Sequence, residues 1–228
     1  MTDSLDSLLV IANHIISQHP SLAPQIEALA QRSQGKSDLA VFSEWAARLY
    51  EAPSPDVIKQ SCLLRNNLPN AIWVETGTCY GDTTDFLSRH SKFVYSIEPE
   101  PNLYAKAINR FLGFNNVKVI NDISENSLPV LLPTLSGNVC FWLDGHYSAG
   151  VTFAGPNDTP LSFELDTIGQ NINLYENISI MIDDIRLCGK KHIYGEYPSL
   201  DTLVNFATSN NLYWYIENDI FIAKSKAT

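Results

Sequence analysis

Ala71-Ile72-Trp73-Val74-Glu75-Thr76-Gly77-Thr78-Cys79-Tyr80-Gly81-Asp82-Thr83 is the stretch on which the reading of this chain turns. The apolar run Ala71 to Val74 predicts a short buried strand, and the acid Glu75 ends it. Gly77 and Gly81 then predict a turn that brings backbone close to a ligand, with a helix beginning at Thr83. Working outward, the same strand-then-acid pattern returns three times. Phe93–Ile97 leads into Glu98, Val139–Leu143 into Asp144, and Ile178–Ile182 into the pair Asp183-Asp184. Acids repeated at strand ends point to a cofactor enzyme more strongly than the glycines do.

The alternation continues between these points. Strands are expected at Ile72–Glu75, Phe93–Ile97, Val117–Ile120, Val139–Leu143 and Ile178–Ile182. Helices are expected at Thr83–Arg89, Asn102–Phe111, Glu125–Leu135 and Leu161–Leu174, with Pro129 and Pro133 shortening the third. Near-continuous apolar strands joined by helices predict a mostly parallel sheet covered on both faces. The end of the chain departs from this pattern. A helix running from Pro198 to Ala207 precedes two apolar runs, Leu212–Ile216 and Ile220–Ala223, around Glu217-Asn218-Asp219, which reads as a hairpin.

Residues 1–67 carry a different, helical pattern, with apolar faces at Leu5–Ile16, Leu22–Arg32 and Leu39–Leu49 and a further helix from Ser54 or Asp56 to Leu64. This extension reads as a cap, as an addition to the main core, or as a surface for homo-oligomers. The expected division is therefore 1–67 and 71–228.

Fifteen Lys plus Arg against 25 Asp plus Glu leave a formal charge of -10, which argues against nucleic acid or an anionic membrane as partner. No apolar run reaches membrane-spanning length, and Met1-Thr2-Asp3-Ser4 lacks the basic start of a secretory signal. Cys62, Cys79, Cys140 and Cys188 are widely spaced, which predicts reduced thiols in a cytoplasmic setting and no cysteine zinc site.

Residues 71–224 resemble the class I S-adenosylmethionine-dependent methyltransferase family. The resemblance implies a Rossmann-like seven-stranded sheet whose terminal hairpin inserts an antiparallel strand, with the cofactor beyond the carboxyl ends of the strands. Glu75, Gly77 and Gly81 match the family's glycine-rich first motif, interrupted here by Thr78-Cys79-Tyr80. Glu98 matches the acid that accepts the cofactor ribose hydroxyls. Asp122 follows the third strand and is the expected group to position the adenine amino group, with Asn121 as its neighbouring competitor. Asp144, Asp183 and Asp184 resemble the metal ligands of catechol-type and macrolide-sugar O-methyltransferases, which implies magnesium and a small hydroxylated substrate. Asp144 thus stands among the catalytic residues, beside His146, whose imidazole is the expected general base.

Ser148 to Pro160 reads as a substrate-enclosing loop or an exposed excursion, and Thr159 is one of its candidate hydroxyl-recognising residues. Glu164 reads as a group holding His146 or substrate, or as a surface helix acid. Arg186, Lys190, Lys191 and His192 read as an anionic-substrate subsite or a solvated charge run. Two other functions stay open on sequence. A nicotinamide-dependent oxidoreductase would also use a glycine turn and a later acid, though without the compact Gly-x-Gly-x-x-Gly here. A noncatalytic binding or oligomerisation protein would keep the fold and the helical extension without methyl transfer.

Overall fold

The computed structural model describes residues 38–145, 159–189, 191–192 and 195–226. The chain divides after Glu51 into two compact units. In the first, helix α1 (Asp38–Ala47) is followed by a turn in which Trp45 meets Tyr50 edge-on and donates its indole N–H to the Glu51 carbonyl at 2.8 Å. The expected helices at Leu5–Ile16 and Leu22–Arg32 lie outside the described residues.

The second unit begins with α2 (Asp56–Asn66), so this helix belongs with the sheet rather than with the segment before it. There follow β1 (Ile72–Thr76), α3 (Asp82–Ser88), β2 (Phe93–Ile97), α4 (Pro101–Arg110), β3 (Val117–Ile120), α5 (Ser124–Leu131), β4 (Gly137–Leu143), α6 (Leu161–Asn171) and β5 (Tyr175–Ile182). A two-residue hairpin, β6 (Lys191–His192) and β7 (Gly195–Glu196), was not expected. Helix α7 (Leu200–Ser209) and the strands β8 (Tyr213–Glu217) and β9 (Ile220–Lys224) complete the unit. Helix α5 runs through Pro129 to Leu131, and the segment finishes as a 3-10 turn at Leu132–Thr134 with Pro133 in its first turn. Pro101 opens α4 at its first turn, where no amide hydrogen is required, and Glu100 accepts from Leu103 N at 2.6 Å.

The main sheet runs β3-β2-β1-β4-β5-β9-β8, with β1 to β5 parallel and β9 antiparallel to β5. Alternate residues of each strand point to opposite faces, and the core shows it. Val74, Phe141, Ile180 and Phe221 pack on one face with Leu128, Leu165 and Leu203 from α5, α6 and α7. Trp73, Trp142, Met181 and Ile222 pack on the other with Leu63 and Leu87 from α2 and α3. Each large side chain so buried contributes about 1.5–3 kcal/mol, enough for the two faces to lock the strand register. The sheet is therefore covered on both sides, as the continuous apolar strands imply.

This topology places the site. From β1 the chain builds one way through β2 and β3, then returns to build the other way from β4. The crevice beyond the carboxyl ends of β1 and β4 is the topological switch point, where open α/β sheets bind ligands.

Candidate active site at the sheet switch point

Strand register sets four residues in one row. Thr76 pairs with Ile97 of β2 and Leu143 of β4, and Leu143 pairs with Ile182 of β5. The next residue on each strand is Gly77, Glu98, Asp144 and Asp183. Backbone bonds extend the row past the strands: Gly77 N donates to Ile97 O, Asp144 N to Thr76 O and Asp183 N to Leu143 O, at 3.0, 3.2 and 3.2 Å. The repeated strand-then-acid pattern thus becomes one line of acids along the sheet edge.

Glu75 sits two positions inside this row and is fully buried. Its Oε2 accepts from the hydroxyls of Thr84 and Ser96, which ties β1 to α3 and β2. Burial pushes the carboxyl up to about 7 against those two bonds. Glu75 Oε1 has no hydrogen-bond partner among the described residues, so a ligand donor such as an ammonium would satisfy it.

Both glycines have positive φ, but the demand on them comes from the protein itself. A Cβ at Gly77 (φ +90) would lie 2.7 Å from the Asp144 carbonyl oxygen. One at Gly81 (φ +82), the residue before α3, would lie 2.9 Å from the Phe111 ring. Within the protein itself these glycines permit a close approach of β1 to β4 and of the turn to Phe111 at the end of α4.

Glu98 spans two loops. Its Oε2 accepts from Cys79 N at 2.7 Å and its Oε1 from Glu100 N at 2.9 Å, and burial holds its carboxyl above the usual range. Each oxygen keeps a further lone pair for a ligand hydroxyl. Asn121, not Asp122, is the residue after β3 in the row, and its Nδ2 donates to Glu98 O at 2.8 Å. Asp122 Oδ1 accepts from Ile123 N and Asn126 Nδ2, both at 2.8 Å, and so steadies the start of α5.

Asp144, Asp183 and Asp184 each present an oxygen within 4.8 Å of the others. Asp184 stands in left-handed backbone (φ 59) at the head of a 3-10 turn, Ile185–Leu187, which bends its side chain back beside Asp183. Two cations join the group. Lys59 Nζ, from α2, donates to Asp183 Oδ2. Arg186 pairs with Asp184 and with Asp219 of the β8–β9 turn. Burial works against the charge on Lys59, yet Asp183, Asp144 and Asp184 together hold its ammonium above the ordinary value. Asp183 is pushed up by burial and by Asp144, against the pull of Lys59. Its Oδ1 is buried without a hydrogen-bond partner. The three clustered carboxylates offer the oxygen donors that a hard divalent cation prefers.

The reading of Arg186 as an anionic-substrate group is corrected, since its guanidinium is committed to Asp184 and Asp219. Burial of Glu164 removes the surface-acid alternative for this residue. It lines one cleft with Asp144, Gly145, Thr159, Asp183 and Tyr197, and burial pushes its carboxyl up to about 7. Thr159 Oγ1 accepts from Leu161 N at 3.4 Å at the start of α6. His146 and Lys190 lie outside the described residues. Lys59 and Tyr197 were missed by sequence reasoning. A lone lysine on an amphipathic helix carries no signal, although a buried acid pair by itself demands a cation.

The strand order, with the antiparallel β9 inserted by the terminal hairpin, is the one that the resemblance to class I S-adenosylmethionine-dependent methyltransferases implies. No family model matches the sequence, and no curated protein matches it. Among solved structures the chain is similar to an rRNA methylase from Streptococcus thermophilus, at 19% identity over 78% of this chain and 99% of that one, with TM-score 0.46. It is similar to the N-methyltransferase NodS from Bradyrhizobium japonicum, at 12% identity over 74% and 94%, with TM-score 0.49. It is also similar to a precorrin-6y C5,15-methyltransferase from Geobacter metallireducens, at 14% identity over 74% and 86%, with TM-score 0.48. Likeness at this level carries neither activity nor acceptor to this chain.

Proposed function

We propose that this protein is an S-adenosylmethionine-dependent O-methyltransferase acting on a hydroxyl of a small molecule, such as a sugar or another natural product. The observation that carries the reading is the convergence of Asp144, Asp183 and Asp184 on the row that also holds Gly77 and Glu98. A cofactor crevice and an oxygen-donor cluster therefore adjoin at one sheet edge. The antiparallel strand within the sheet supports this reading over the nicotinamide alternative, whose dinucleotide fold is mostly parallel.

Glu98 accepts the cofactor ribose hydroxyls with the lone pairs that Cys79 and Glu100 leave over, and Glu75 Oε1 accepts a donor from the same molecule. Bound S-adenosylmethionine supplies the activated methyl group. Asp144, Asp183 and Asp184 would hold magnesium, which when bound acts as a Lewis acid that lowers the pKa of the acceptor hydroxyl. His146, two residues past Asp144, accepts the hydroxyl proton. The chain's main contribution is alignment, since an oxygen nucleophile must meet the methyl carbon in line with the departing sulfur.

Four free cysteines suit a reducing, cytoplasmic compartment. Among the described residues no helix is long and apolar enough to cross a membrane. The test is transfer of a labelled methyl group to a panel of hydroxylated acceptors, with magnesium and with chelator. Metal-dependent labelling of one acceptor class supports the proposal. Cofactor binding without transfer to any acceptor would favour the noncatalytic reading.

A further inference from the structure

Lys59 comes from α2, 124 residues away from Asp183 in sequence, yet its ammonium reaches that member of the proposed metal cluster. The cluster is more than a group of acids. Its member Asp183 has a side chain only 1% exposed, with Oδ2 bound to Lys59 and Oδ1 unpartnered.

A divalent ion held by these oxygens would share a buried space with that positive charge. Like charges at such separations repel strongly when water is excluded. Both cannot hold Asp183 at full strength.

We infer that Lys59 is a tethered competitor of the divalent cation, occupying Asp183 in the metal-free protein and leaving it when the metal enters. The inference rests on the metal site of the proposed function and adds its regulation. Metal entry is then coupled to α2, because the side chain that must leave belongs to that helix.

Two measurements test it. Manganese binding, followed by loss of the free-ion paramagnetic resonance signal, should be about tenfold tighter or more in Lys59→Met than in wild type, a change of about 1.4 kcal/mol. The gain should vanish in Lys59→Met/Asp183→Asn. Because Lys59→Met leaves a buried acid without its partner and can impair folding, the second measurement uses wild type. The Lys59 side chain is 19% exposed, so acylation of its amine can be followed by mass spectrometry. Labelling of Lys59 should rise on adding magnesium while the exposed Lys118 stays constant. Unchanged or weaker manganese affinity in a folded Lys59→Met, or Lys59 labelling indifferent to saturating magnesium, overturns the inference. A parallel S-adenosylmethionine titration separates the two claims. Cofactor binding without competition sinks only the role of Lys59, and competition without cofactor binding sinks only the methyltransferase reading.

Discussion

Replacing Glu164 by glutamine isolates one consequence of burying an acid in the cleft. Glu164 lies in the first turn of α6 and is 1% exposed. Burial is the largest influence on its carboxyl and raises it from 4.5 to about 7, opposed by the Ser124 and Thr76 hydroxyls and reinforced by Glu125 and Asp144. Below pH 4.5 the group is protonated in both folded and unfolded chains, so it adds no pH dependence. Between 4.5 and 7 the unfolded chain releases the proton and the folded chain keeps it. Stability then falls as pH rises, by about 1.4 kcal/mol per unit. Above 7 both states are ionised and the loss levels off. The difference of 2.5 between 4.5 and 7 corresponds to about 3 kcal/mol, a large share of the roughly 5–15 kcal/mol that holds a domain together. Glutamine keeps the shape and does not titrate. The stability of Glu164→Gln relative to wild type should therefore rise by about 3 kcal/mol between pH 4 and pH 8. Guanidinium unfolding of both proteins at several pH values measures it. A constant offset at every pH would refute the reasoning, because it would mean that the carboxyl titrates alike in both states.

Other consequences are simpler. Gly77→Ala places a Cβ 2.7 Å from the Asp144 carbonyl oxygen at φ +90, and backbone strain plus overpacking should cost roughly 2–5 kcal/mol in chemical denaturation. An unaltered midpoint would mean that β1 and β4 do not approach as described. Glu98→Ala removes a charged acceptor from Cys79 N and Glu100 N, and S-adenosylmethionine affinity should fall about tenfold or more by calorimetry. Retained affinity would detach Glu98 from the cofactor. His146→Ala should cut turnover by about 10²–10⁴ with cofactor affinity retained, and undiminished turnover would remove it as the base.

Much of the sheet is legible in the chain because its strands are buried on both faces. Phe93–Ile97 and Val117–Ile120 begin and end where the apolar runs do. The terminal hairpin is equally visible, as two apolar runs around Glu217-Asn218-Asp219. The β6–β7 hairpin escapes because two-residue strands have no period to detect. At the site, acids at strand ends are legible since register carries them to one edge. Their partners are not. Lys59 on α2 and Asp219 in the β8–β9 turn are brought to Asp183 and Asp184 only by tertiary packing. Gly77 and Gly81 show the converse limit, since sequence reveals a need for glycine but not whether ligand or protein imposes it.

The central claim is that the crevice between β1 and β4 holds S-adenosylmethionine. Calorimetric titration of the purified protein with that cofactor, with and without magnesium, tests it most directly. Saturable binding at one site, weakened by Glu98→Ala, is the predicted result. A folded protein that gives only heats of dilution under both conditions would contradict the account at its root.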